Sequence, residues 1–251
     1  MSFVGTVAGT TPPGTSGEQQ AAHWVREMFS GIAPRYDLLN HILSFNIDRR
    51  WRKALRQSIA AVLVAPGTRV LDLCCGTGDV LLDLQSVSAA QIIGADFSHP
   101  MLVAARNKVI RKGLSTPLLE ADALELPLAS ESLDAISIAF GFRNLANYRN
   151  GLLELHRVLK PGGKLAILEF SHPPGILVKT AYALYSRLVL PVIGAVVSGS
   201  TEAYTYLPDS IGKFPRANEL ATMMQQANFV ESAFQLLTGG IAALHTGIKA
   251  G

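Results

Sequence analysis

Cysteine is almost absent: Cys74 and Cys75 are the only two in 251 residues. Adjacent thiols are poor partners for an ordinary disulfide, and two are too few for a structural zinc site. They read as small residues beneath a loop in a reducing compartment, so a cytoplasmic location and no metal are expected. Charge is scarce as well, at 16% of residues. Twenty-two basic against 19 acidic residues leave +3, and the densest basic run, Arg49-Arg50-Trp51-Arg52-Lys53, is short. That balance gives no ground for a nucleic-acid partner. The N-terminus has no charged segment followed by an apolar core, so no signal peptide is expected. One long apolar stretch exists, Ile176 to Val197. Lys179, Arg187 and Pro191 interrupt it, and Tyr182, Tyr185 and Ser186 give it a polar stripe, which argues against a span of ~20 apolar residues. It reads as a broken helix or helix pair covering a greasy pocket, with a peripheral membrane contact through 174–199 at the inner face as the alternative to core packing.

What is abundant is apolar. A 49% hydrophobic share suits a doubly wound α/β sheet with a sizeable core, and the length suits one domain. Residues 1–17, rich in Gly, Thr, Pro and Ser, are expected to be a disordered tail. The single domain is then 18–251: a helical lid over 18–66 and a Rossmann-like core over 67–251, with a substrate-side insertion at 174–212. Alternating apolar runs predict strands near 69–73, 91–96, 117–121, 134–140, 164–170, 229–236 and 241–248, making a mainly parallel seven-stranded sheet. Gly240 joins the last two as an antiparallel pair. Ser98 with Pro100 predicts a helix start, Gly113 its end, and further helices follow from Asn147 and Ala217.

Arg69-Val-Leu-Asp-Leu-Cys-Cys-Gly-Thr-Gly-Asp79 carries the chemistry. An apolar strand enters a turn whose Gly76 and Gly78 let backbone approach a ligand without a Cβ in the way. Asp96 ends the next apolar run, where a carboxylate is placed to grip the two hydroxyls of a ribose. A nucleoside-bearing cofactor follows. Leu81 stands where a dinucleotide fingerprint has its last glycine. Asp72 and Asp79 flank the turn, which suits a positively charged ligand better than a pyrophosphate; a nicotinamide oxidoreductase is disfavoured. Asp-x-x-x-Gly-x-Gly resembles the first motif of the class I S-adenosylmethionine-dependent methyltransferases, and seven strands with a closing hairpin resemble their sheet.

Two stretches narrow the resemblance. Tyr36-Asp37-Leu38-Leu39-Asn40-His41-Ile42-Leu43-Ser44, with Asp48 and Trp51, resembles the N-terminal signature of the ubiquinone/menaquinone biosynthesis C-methyltransferases (MenG/UbiE type). Arg157-Val158-Leu159-Lys160-Pro161-Gly162-Gly163 through Glu169-Phe170-Ser171 resembles their second signature. Phe140-Gly141-Phe142-Arg143-Asn144, Tyr204 to Ile211 and Leu244-His245-Thr246-Gly247 are similar to further family segments. Asp48 and Ala139 depart from the common pattern, the first where the quinone branch often has histidine, the second where a hydroxyl is frequent.

The resemblance implies methyl transfer from S-adenosylmethionine to a ring carbon of a prenylated quinol, demethylmenaquinol before a 2-methoxy-6-polyprenyl-1,4-benzoquinol of ubiquinone biosynthesis. Another lipid acceptor and a non-catalytic scaffold for quinone synthesis are the remaining alternatives. Asp72, Thr77 and the backbone of Gly76 and Gly78 are implied at the methionine end, Asp96 at the ribose, and Asp122 with Ala123 at the adenine. A phenol titrates near ~10, so its proton must be removed before the ortho carbon attacks. Arg143 is implied as the group that favours phenolate or orients a water, Asn144 as its neighbour on the quinol oxygen, and Tyr36 as a hydrogen-bonding lid residue. Trp51 is expected to anchor the lid. Oligomeric state stays open, a homodimer included.

Overall fold

The seven apolar runs form Arg69–Leu73 (β1), Gln91–Asp96 (β2), Leu118–Glu120 (β3), Leu133–Ala139 (β4), Leu159–Phe170 (β5), Phe229–Leu237 (β6) and Ala242–Lys249 (β7). The computed structural model describes residues 9–33, 46–176, 178, 180 and 202–251, with 202–205 described in their backbone alone. The strands make one sheet in the order β3-β2-β1-β4-β5-β7-β6. Neighbours from β3 to β5 are parallel, and β7 runs antiparallel to both β5 and β6. The order in which successive strands are added reverses between β1 and β4, with β2 and β3 to one side and β5 to the other, all five strands staying parallel. Ligands of open α/β sheets bind at such a switch point, beyond the carboxyl ends of the strands.

The described helices are Glu18–Ile32 (α1), Asp48–Ser58 (α2), Ala60–Val64 (α3), Asp79–Gln85 (α4), His99–Arg111 (α5), Tyr148–Val158 (α6), Glu202–Lys213 (α7) and Ala217–Gln226 (α8). Helix α5 starts after Ser98, with Pro100 in its first turn, and α6 is capped by the Asn147 side chain, which accepts from the Asn150 amide at 2.9 Å. One face of the sheet buries Leu71, Leu73, Ile136 and Ile138 against Leu152 and Leu155 of α6 and Leu220 and Met224 of α8. The other buries Val70, Ala135 and Ala166 against Trp51, Leu55, Ile59, Leu63, Leu81 and Leu84. Strand residues i and i+1 take opposite faces, so β1 supplies both cores.

The segment expected as a lid therefore divides. Helix α1 lies over the carboxyl edge, with its Arg26 guanidinium 5.5 Å from the Phe97 ring centre and Ser30 Oγ 3.0 Å from Ser98 Oγ. Helices α2 and α3 instead cover the sheet. Trp51 is buried there against Phe140 and Phe170, and its indole N–H donates to Thr238 Oγ1 at 2.8 Å. The stretch expected as a tail is docked from residue 9. The Thr10 amide donates to the Leu145 carbonyl at 2.8 Å, and Thr10 is buried. Composition misled here because threonine and glycine satisfy a backbone groove as readily as they stay solvated.

Leu81, in place of a glycine, has a packing reason. It is fully buried, and a Cβ built on Gly94 of β2 would lie 3.0 Å from Leu81 Cδ2 and 2.8 Å from Leu118 Cδ2. The bulk sits on the helix and the gap on the strand. Gly94→Val is therefore expected to destabilise the fold by about 1–3 kcal/mol through overpacking. Urea unfolding followed by circular dichroism measures it, and a wild-type midpoint would contradict the close fit.

Candidate active site

At the switch point the strand ends open into a cleft of roughly 710 Å³ of empty space, part of it open to solvent. Leu73, Cys74 and Gly76 after β1, Asp96 and Phe97 after β2, Ala121 to Leu124 after β3, and Ala139 to Gly141 after β4 form its floor and walls. Asn144, Leu145 and Ala146 continue one wall, and Ala22 and Phe29 of α1 form the roof. Two of these residues leave their strands with positive φ although neither is glycine: Cys74 at 55° and Phe140 at 57°. Such backbone is uncommon outside glycine, and here it marks the ends of the two strands that flank the switch. A Cβ on Gly141 would come 2.3 Å from Cys74 Cβ, so glycine there lets the two strand ends close on each other.

Asp96 is the buried charge of the cleft. Its Oδ2 accepts from the Gly76 amide at 2.8 Å and its Oδ1 from the Ser98 amide at 2.9 Å. Burial pushes its carboxyl up to about 6, against the pull of those amides. A buried carboxylate with spare lone pairs and no ion pair among the described residues fits a pair of sugar hydroxyls, which donate without adding charge. Asp122 and Ala123 lie on the cleft wall beyond β3, with Asp122 Oδ1 accepting from the Leu124 amide at 2.9 Å. Gly76 and these three residues are brought together.

The remaining turn residues point elsewhere. Gly78 holds φ 87° at the start of α4, where a Cβ would lie 3.2 Å from Ala105 Cβ, so its role is close packing on α5. Thr77 is buried, and its Oγ1 accepts from Lys108 Nζ at 3.1 Å. Neither is among the residues lining the cleft. Asp72 lies under the turn, on the α2 side of the sheet. Its Oδ1 accepts from Ser137 Oγ, its neighbour across β4, at 2.8 Å, and burial pushes its carboxyl up to about 7. Asp79 faces away and is matched by Lys108 Nζ at 2.7 Å and Arg52 at 2.8 Å. Burial opposes ionisation of Asp79, but the bonds from Lys108 and Arg52 hold its carboxyl below the usual range. Asp79 therefore does not draw a cationic ligand, as its place beside the turn suggested: its charge is matched within the fold and ties α2, α4 and α5 together.

Arg143 sits in the 3-10 turn Phe142–Asn144 and is buried. Its guanidinium donates to Glu169 Oε1 at 2.9 Å and to the Phe140 carbonyl, and lies 5.4 Å from the Phe170 ring centre. It stands behind the cleft wall, outside the lining set. Asn144 does line the cleft, with Oδ1 accepting from Tyr206 at 3.0 Å. Tyr36, with Asp37 and His41, lies outside the described residues. Glu169 and Tyr206 are the residues that sequence reasoning did not single out for a role. The signal for Glu169 was a lone carboxylate in the apolar run Leu165-Ala166-Ile167-Leu168-Glu169-Phe170, which demands a partner once buried. Tyr206 lay within the family-like segment Tyr204 to Ile211, but nothing in that segment showed what its hydroxyl would meet.

Strand order, switch-point cleft and the carboxylate ending β2 define a class I methyltransferase fold. Solved structures with this sheet include the cyclase SpnF (TM-score 0.68, 18% identity, 96% of this chain and 99% of that one) and a SAM-dependent methyltransferase from Aquifex aeolicus (0.54, 19%, 77% and 88%). At such identities they show the fold alone. The model of the ubiE/COQ5 methyltransferase family matches residues 15–249, and the chain belongs to that family. A demethylmenaquinone methyltransferase of Thermus thermophilus is 48% identical over 88% of this chain and 99% of its own length. A ubiquinone/menaquinone biosynthesis C-methyltransferase UbiE of Syntrophotalea carbinolica is 46% identical over 89% and 93%.

Two outcomes are expected. Asp96→Ala should weaken S-adenosylmethionine binding by roughly ten- to a hundredfold, the worth of about 1.5–3 kcal/mol for hydrogen bonds to a charged group. Calorimetric titration on a variant with native circular dichroism reads this, and unchanged affinity would sink the ribose assignment. The second concerns stability. Asp72 ionises near 3.8 when unfolded and near 7 when folded, so the fold is unpenalised below pH 4 and loses stability as pH rises to 7. Asp72→Asn keeps the Ser137 bond and removes that slope. It should raise the unfolding free energy above pH 7 by up to about 4 kcal/mol, read as a higher melting temperature, with the gain vanishing toward pH 4. A pH-independent difference would contradict this.

Proposed function

We propose that this protein methylates a ring carbon of demethylmenaquinol, using S-adenosylmethionine as the methyl donor. The observation that carries the reading is the similarity, over 99% of its length, to a relative named for that activity. The cleft agrees with the cofactor: Asp96 offers a buried acceptor to ribose hydroxyls, Asp122 and Ala123 a polar edge to adenine, and Gly76 backbone free of a Cβ. The cofactor supplies an electrophilic methyl on a sulfonium.

The protein has to favour phenolate and hold the ring in line. Asn144 is proposed to donate to the quinol oxygen from the cleft wall, and Tyr36, outside the described residues, to hydrogen-bond the cofactor or the quinol. Arg143, whose guanidinium stays protonated at any working pH, is proposed to favour phenolate by its field while it holds the turn that carries Asn144. Thr77, Gly78 and Asp72 are proposed to shape the methionine end from below. No helix among the described residues is long and apolar enough to cross a membrane. A peripheral contact through 174–199 belongs to the same proposal, since a polyprenyl tail resides in a bilayer; Ile176 at its start is 72% exposed. A homodimer is compatible with this reading. The ubiquinone precursor is the second acceptor to try, because a relative's name joins both quinones.

Incubation with S-adenosylmethionine and short-tail demethylmenaquinol, reduced or oxidised, tests the proposal by mass spectrometry. Methylated product from the reduced form alone is expected. Product from both forms would overturn the phenolate step, and no product from either, in protein that binds the cofactor, would overturn the acceptor.

A further inference from the structure

Position 206 joins two segments remote in sequence to one wall of the cleft. Tyr206, on α7, is buried, with its ring centre 5.0 Å from that of Trp24 of α1. Its hydroxyl lies 3.0 Å from Asn144 Oδ1 and 2.7 Å from Thr10 Oγ1. The direction of these bonds follows from what each atom can do. The Phe140 carbonyl only accepts, so the amide edge 3.4 Å from it is Nδ2, and Oδ1 is turned to Tyr206. Tyr206 has one proton and gives it to Oδ1. Thr10 must then be the donor to Tyr206. Burial raises the tyrosine, so it keeps that proton throughout the working range.

The outer end of the chain is held as firmly. The Thr10 amide donates to the Leu145 carbonyl, and Lys213 Nζ donates to the Thr11 carbonyl at 3.2 Å. Gly9 passes so close that a Cβ on it would fall 1.9 Å from the Ala146 carbonyl oxygen. Residues 9–11 therefore form a strap between the loop 144–147 and α7. Asn144 has one Nδ2–H directed to Phe140, which leaves a second N–H on a residue that lines the cleft.

We propose that Tyr206 is a positioning residue for methyl transfer: held by Thr10, it fixes the Asn144 amide so that its second N–H is presented to the acceptor oxygen. This rests on the reading of Asn144 as the group that meets the quinol oxygen. A loose amide would present oxygen to the phenolate in part of its states, a repulsive contact between two acceptors. The tether sets which edge faces the substrate without touching it.

Tyr206→Phe removes the hydroxyl and keeps the ring against Trp24. With reduced demethylmenaquinol, kcat should fall tenfold or more while the KM for S-adenosylmethionine stays near wild type and the melting temperature falls by only a few degrees, as two buried hydrogen bonds are lost. Thr10→Val should give a smaller loss of the same kind. In an Asn144→Ala background Tyr206→Phe should cost nothing further; additive losses, or a wild-type kcat in Tyr206→Phe, would overturn the proposal. A second readout does not need activity: the Asn144 side-chain amide resonances should shift in Tyr206→Phe. Unmoved resonances would overturn the contact. Should wild-type protein fail to methylate the quinol, the acceptor reading falls by itself, and the amide resonances still decide whether Tyr206 holds Asn144.

Discussion

A guanidinium and a carboxylate buried side by side at the carboxyl edge of the sheet hold the cleft wall in place. Arg143 and Glu169 are both nearly inaccessible to water, at 5% and 0% exposure, and Glu169 also accepts from the Arg143 and Phe170 amides. Pairing two buried ions against hydrophobic replacement gains little, but removing one partner costs about 3–5 kcal/mol because the other is stranded. The pair thus acts as a constraint more than a source of stability. Arg143 draws the Phe140 carbonyl inward, which accompanies the positive φ of Phe140, and its own carbonyl accepts from Tyr148 at 2.9 Å. Asn144, Leu145 and Ala146 are set by that turn, and the strap at Thr10 docks on what it sets.

The parts of this arrangement that were legible in sequence are those where neighbours in the chain are neighbours in space. Strand runs, the Ser98 and Asn147 helix starts, the glycine turn and Asp96 all belong to that kind. What stayed hidden depends on contacts between distant segments. Arg143 finds Glu169 across two strands, Asp79 finds Arg52 from another helix, and Thr10 finds Tyr206 nearly two hundred positions away. A carboxylate beside a glycine turn looks the same in sequence whether it faces a ligand or a lysine. Asp96 and Asp79 differ only in what the fold brings to them. Helix α2 was misplaced for a related reason: an amphipathic helix shows that one face is buried, not against which layer.

The same sheet serves different chemistry, since a cyclase shares it at 18% identity. At its edge Cys74 and Phe140, with positive φ just past the ends of β1 and β4, and Gly141, with no room for a side chain, bring the two strand ends together where the strand order reverses. That close approach fixes the cleft floor before any ligand arrives, so its geometry is carried by backbone rather than by flexible side chains.

Electrostatics then divides the carboxylates of the turn by burial and partner. Asp79, matched by two cations, is neutral in effect. Asp72, bonded to a neutral hydroxyl beneath the sheet edge, is lifted to about 7 and carries only part of a charge near neutrality. Asp96, held by two amides at the cleft, is lifted less, to about 6, and stays mostly ionised at neutral pH. Asp96 and Asp122 are the carboxylates among the described residues that line the cleft. A ligand that brings hydroxyl donors to Asp96 lowers its pKa and favours the ionised form, so binding and ionisation there reinforce each other. That linkage ties this end of the cleft to pH, while at the Asn144 wall, where the charge of Arg143 is matched by Glu169, the polar character depends on which edge of the Asn144 amide is turned inward.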